Sequence, residues 1–213
     1  MVTEITDYGT LFFTAILAFT TIALTCATFR LARTTRENAK DAKRKSFEDK
    51  FFQLLRFQNK MVDNLKYKTG EINCTGRDCL VEFRKELFEK YKGSYEDFYS
   101  KGQQHEIGHY FRHLYHILKF IDSQDVEKQD YANLVRAQLS GEELVLLFYN
   151  CMCKEPKFEK FHKLVEDFEL LKGMRERWLE FDSNGLPLDS ENKRKEFYRK
   201  CYPQNAKTND YRD

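Results

Sequence analysis

From Leu11 to Phe29 the chain reads LFFTAILAFTTIALTCATF, nineteen residues without a charge or a proline. A helix rises 1.5 Å per residue, so about 20 such residues cross a hydrocarbon core. Upstream lie Glu4 and Asp7 with no Lys or Arg. Downstream come Arg30, Arg33, Arg36, Lys40, Lys43, Arg44 and Lys45. This asymmetry predicts a single-pass helix with its C-terminal side in the cytoplasm and its N-terminus outside. A secretory signal peptide would need a basic n-region, which is absent. Thr25 before Cys26 also departs from a lipoprotein cleavage box. The rest of the chain contains no second run of this kind.

The span carries a further pattern. Thr14, Ala18, Thr21, Thr25 and Thr28 are spaced alternately by four and three residues, and Ala32, Thr35, Ala39, Ala42 and Ser46 extend the stripe. Lipid solvates Leu as well as another helix does, so close approach at small residues and Thr hydrogen bonds are what favour helix pairing in a membrane. The stripe is thus a candidate interface for self-association or for a partner's helix. Ala and Thr are also common in membrane helices, and the stripe past Arg30 requires the helix to continue unbroken.

Beyond the anchor, apolar residues recur at helical spacing. Phe47, Phe51, Leu54, Leu55, Val62 and Leu65 mark a helix over 46–66, and 67–77, with Gly70 and Gly76, reads as a loop. Leu80, Phe83, Leu87 and Phe88 mark a helix ended by Gly93. A short helix is expected near Tyr95–Ser100, and a broad-faced core helix runs from Gln104 to Ile121. Another covers Val126–Leu139. Ser140 and Glu143 form an S-x-x-E capping box at the head of the next helix, so Leu139-Ser140 is a tight corner. Pro156 can open a helix carrying Phe158, Phe161, Leu164, Val165, Phe168 and Leu171. Asn184-Gly185-Leu186-Pro187 reads as a break, Glu191–Cys201 as a last helix, and the final dozen residues as frayed. No alternating strand is evident. The expected fold is all-α: one N-terminal transmembrane helix followed by a cytoplasmic helical domain. Its expected parts are a short N-terminus (1–9), the span (10–31), a juxtamembrane helix (32–66), a helical core (67–175) and a polar extension (176–213).

Composition agrees with one helical domain. The chain has 213 residues, only three prolines, and 19 Phe with 12 Tyr to build a core. Its 36 basic and 34 acidic residues leave a net charge of +2, which gives no overall pull toward nucleic acid. Six cysteines in a cytoplasmic setting read as thiols. Neither Cys74 with Cys79 nor Cys151 with Cys153 has C-x-x-C spacing, and no cofactor or metal is expected. Phosphate-binding, nucleophile-elbow and H-E-x-x-H motifs are absent. The chemistry-bearing cluster is His105, His109, His113 and His116 on one helix face, bordered by Arg112 and Lys119. It is either a solvated face or a polar seam or anion site. Acidic partners would come from Glu142 or Glu143, with Arg136 and Gln138 in the same corner. The candidate polar site is thus His109, Arg112, His116, Arg136, Gln138 and Glu143.

Two segments, GHYFRHLYHILKFID (Gly108–Asp122) and YANLVRAQLSGEELVLLFYN (Tyr131–Asn150), resemble the bacterial AbiC-like phage abortive infection family. The HYFR and RAQLS signatures occur in the family's order. The resemblance extends more weakly from the membrane helix to about residue 175. It transfers His109, Tyr110, Phe111 and Arg112, then Arg136, Gln138, Ser140, Glu143 and Asn150, of which Tyr110 and Phe111 face the apolar side. It implies an antiphage protein at the bacterial inner membrane that arrests or kills the infected cell, and it carries no assigned reaction. Three expectations follow: a toxic membrane effector, a membrane adaptor for another defence component, and a tethered HEPN-like ribonuclease using Arg112 and His116. The expected partners are membrane lipid and either further copies of the chain or a protein of the same defence system; nucleic acid matters only for the ribonuclease.

Overall fold

The computed structural model describes the backbone of residues 2–101, 104–153 and 158–201, and the side chains of 10–101, 106–153 and 158–201. His105's side chain, Pro156 and the tail beyond Cys201 lie outside the described residues. The chain divides into two compact units, Met1–Lys50 and Phe51–Asp213. Helix α1, Val2–Asp63, contributes to both.

In the first unit α1 is a helix long and apolar enough to cross a membrane, and its most apolar window is wholly unburied. Phe12, Phe19 and Phe29 are 71%, 74% and 72% exposed. The stripe threonines turn inward to their own backbone. Thr14 donates to the Thr10 and Leu11 carbonyls, Thr21 to Leu17, Thr25 to Thr21 and Thr28 to Leu24, at 2.7–3.0 Å. A polar residue in an apolar helix thereby keeps its hydroxyl paired without a second chain.

The second unit begins with the last turns of α1. The segment expected as a loop instead forms a hairpin, β1 (Lys66–Thr69) with β2 (Ile72–Thr75), antiparallel with Thr69 opposite Ile72. Gly70, at φ 58°, supplies the left-handed first position that a two-residue hairpin turn needs. Only Tyr67 is buried along either strand, so no alternation betrays them. Tyr67 packs edge-on against Phe83, 5.3 Å between ring centres.

Seven further α-helices follow among the described residues: α2 (Asp78–Glu89), α3 (Tyr95–Lys101), α4 (Gln104–Asp122), α5 (Lys128–Gln138), α6 (Gly141–Met152), α7 (Glu159–Asp167) and α8 (Glu191–Cys201). Within those residues the fold is all-helical apart from the hairpin and one isolated bridge. Helix α4 is central. Ile107, Tyr110, Leu114, Ile117, Leu118 and Ile121 are fully buried, and α4 packs on α3, α5 and α7. Each such burial contributes about 1.5–3 kcal/mol relative to exposure. Helix α6 is apolar nearly all round and lies against α2 and α3.

Helix α7 ends at Asp167, earlier than the apolar spacing through Leu171 predicts. Glu169 takes φ 50°, its N–H returns to Glu166 O at 3.0 Å, and Leu170 N–H returns to Val165 O at 3.0 Å. This is a Schellman closure with Val165 and Leu170 buried beside it, but with Glu where Gly is usual. The segment after it is pinned by two tyrosines. Tyr149 donates to Phe181 O at 2.6 Å and accepts from Phe181 N–H at 3.2 Å, while Tyr198 donates to Leu171 O at 3.1 Å. The Asn184-Gly185 break is a turn closed by Asp182, whose carboxylate accepts the N–H groups of Asn184 and Leu186.

Candidate functional site

Two features of the second unit concentrate polar chemistry. The first is the corner between α5 and α6. Ser140 takes extended backbone angles and caps α6: its Oγ accepts the Glu143 N–H at 3.3 Å, and its own N–H donates to Glu143 Oε2 at 2.7 Å. The carboxylate is 2% exposed and has further donors. Tyr110 of α4 donates to Oε1 at 2.7 Å, and Arg77 approaches Oε2 at 3.4 Å from a half-exposed position. Burial first, and then the Glu143 charge, hold the Tyr110 hydroxyl well above its ordinary range, so it is a permanent donor. A buried carboxylate with its oxygens so occupied is a lock between elements.

The network continues through Gln58 at the end of α1, which faces Tyr110 and whose Oε1 accepts from His113 Nδ1 at 2.7 Å. Burial and the neighbouring His116 lower the His113 pKa, keeping the imidazole neutral.

The expected polar residues part company here. His109, Arg112 and His116 lie on the exposed side of α4. Arg112 Nη1 meets His109 Nδ1 at 3.4 Å, and the His116 ring lies 5.4 Å from that of Tyr115. Gln138 accepts from Asn59 at 3.2 Å, and Arg136 donates to the Glu169 carbonyl at 3.3 Å, neutralising the C-terminal end of α7. Glu142 pairs with Arg84 of α2 at 2.6 Å. The two signature segments do meet, but through Tyr110 and Glu143. Helical periodicity assigns Tyr110 to the apolar face, and it says nothing of where a hydroxyl at the ring's far end points.

The second feature is a cavity of about 320 Å³ between α3, α4, the end of α6 and the start of α7. Tyr95, Tyr99, Phe111 and Phe161 contribute aromatic walls, and Arg112 and Lys160 are its exposed cations. Tyr95 and Asn150 are buried along it; the Asn150 side chain bonds the Tyr95 hydroxyl, and Asn150 Oδ1 has no hydrogen-bond partner among the described residues. Gly108, Phe111, Arg112, Tyr115 and Asn150 belong to the two signature segments, and the other lining residues come from elsewhere in the chain, so no spacing rule could gather them. Among the described residues no group of three or more His, Cys, Asp or Glu is arranged to hold a metal ion.

Residues 102–178, which contain both the corner and most of the cavity, match the family described as "putative phage abortive infection protein". Across that segment the chain is similar to the AbiC-like family. The match supports the likeness suspected from HYFR and RAQLS, and with it antiphage defence as the class of function. No curated protein and no solved structure matches the chain. The Tyr110–Glu143 bond is one of the contacts that join the two signature segments, and the segment beyond Trp178 docks onto the matched region through Tyr149 and Tyr198.

Proposed function

We propose that this AbiC-like protein is a membrane-anchored antiphage effector that arrests or kills the infected cell by disturbing the inner membrane. The observation that carries the reading is the apolar, wholly unburied window of α1. In water that surface would cost on the order of 25 cal/mol for each Å² left uncovered, so lipid or other apolar helices must cover it. The basic residues from Arg30 to Lys45 favour a cytoplasmic second unit and an external N-terminus. One span cannot line a pore, so membrane damage requires several copies. Because the stripe hydroxyls already bond their own helix, association would rest on close packing along Thr14, Ala18, Thr21, Thr25 and Thr28.

The discriminating experiment replaces Thr14, Thr21 and Thr25 together by Leu. Cross-linking in membranes should then lose the higher oligomer, and phage protection should fall with it. Unchanged oligomer size and unchanged protection would refute pairing through the stripe. Nothing specific favours the ribonuclease: Arg112 approaches His109, and the His116 ring lies beside that of Tyr115. The adaptor reading predicts normal membrane potential throughout arrest.

A further inference from the structure

We propose that the cavity between α3, α4, α6 and α7 is a binding site for a nucleoside monophosphate, held by its planar ring, the polar edge of that ring and its phosphate. The volume, about 320 Å³, lies at the small end of the range for ligand pockets and suits one small molecule. Three separate observations choose its chemistry.

The walls are rings. Tyr95 and Tyr99 lie nearly parallel, 23° apart in plane at 6.1 Å, and Tyr115 meets Phe161 edge-on at 6.0 Å. Aromatic walls of this kind take flat π-systems by stacking. A purely apolar ring, however, would leave the buried polar groups unpaired. Asn150 is 1% and Tyr95 3% exposed; the Asn150 side chain bonds the Tyr95 hydroxyl, and Asn150 Oδ1 has no partner among the described residues. A buried polar atom without a partner destabilises the fold, so its presence beside a cavity points to a ligand that supplies the missing donor. The Asn150 carbonyl as acceptor, and the Tyr95 hydroxyl, which accepts from the Asn150 amide and keeps its own proton to donate, match the mixed donor–acceptor edge of a nucleobase.

The charged lining has a single sign. Arg112 and Lys160 are the ionic residues of the cavity, and no carboxylate among the described residues lines it. Arg112 gives one of its donors to His109 Nδ1, at 3.4 Å, which steadies the guanidinium while the rest of its fork can meet a phosphate. A bare anion would not need the rings, and a bare base would not need the cations. The proposal does not depend on how the membrane is disturbed.

The test uses the full chain in detergent, titrated calorimetrically with AMP, GMP, CMP and UMP, each beside its nucleoside and beside inorganic phosphate. At least one monophosphate should bind about tenfold or more tighter than its nucleoside or phosphate alone. Arg112→Gln should reduce its affinity to that of the nucleoside. Tyr95→Phe should weaken binding about tenfold, because it removes the hydroxyl proton that the ligand would accept. A merely structural Tyr95 would instead lower Tm and leave affinity alone. Absence of binding by all four monophosphates, or binding indifferent to both substitutions, overturns the proposal and leaves the cavity to water.

Discussion

Glu169 stands at φ 50° in the closing turn of α7, a conformation in which a side chain costs about 1–2 kcal/mol and glycine costs nothing. Its ion pair with Lys172 is about a third exposed and contributes little. Glu169→Gly should therefore raise stability by roughly 1 kcal/mol in a denaturant titration. Glu143 behaves oppositely. Glu143→Ala strands the Tyr110 hydroxyl and the Ser140 N–H, and should cost about 2–4 kcal/mol. Tyr110→Phe should cost less, and the double variant less than the sum, which a double-mutant cycle would read directly. Burial, with the Cys74 thiol 3.5 Å away, pushes the Cys79 thiol up to about 12. Folded protein should thus resist alkylation at Cys79 near neutral pH, and rapid labelling there would contradict the packing. The capping box is legible in the sequence because S-x-x-E is a local pattern with a local cause. The Glu169 turn is not, because the usual glycine is missing. Nor is the Tyr110–Glu143 bond, since it joins residues 33 apart in sequence.

Among elements, long amphipathic helices are the most readable, because α4 repeats its apolar positions over several turns. The hairpin is invisible for the converse reason: four-residue strands with one buried side chain have no period to detect. The polar stretch after residue 176 hides its attachment in two tyrosine hydroxyls and in close approaches. Gly93 is one of these. It has φ 81°, and an added Cβ would lie 2.9 Å from Phe181 Cβ and 3.0 Å from the Tyr149 ring. Gly93→Ala should lower stability by about 2–4 kcal/mol, combining backbone strain with overpacking, and free the segment around Phe181 to faster hydrogen exchange. A neutral substitution would mean that this docking is loose. The cavity is out of reach for any element-level reading, since its lining is drawn from four helices and its meaning rests on which polar atoms remain unpartnered.

At the scale of the molecule, burial lowers the pKa of both His113 and His162 from 6.5. The unfolded chain then binds protons that the folded chain refuses, so stability is fully present above pH 6.5 and is lost as pH falls toward the folded values. Between about pH 7.5 and about pH 5 the Tm of the second unit should drop, and the paired His113→Gln and His162→Gln substitutions should flatten that slope. The all-helical class and the long apolar helix are legible in the amino-acid sequence alone, since both arise from composition and period. The class of function, antiphage defence, is legible only through the family likeness, because it has no local pattern. The central claim concerns the membrane, and the most direct measurement follows membrane potential together with total RNA in cells expressing this protein during phage infection. The account predicts depolarisation while RNA remains intact. RNA breakdown that precedes any fall in potential, or arrest at an undisturbed potential, would contradict it.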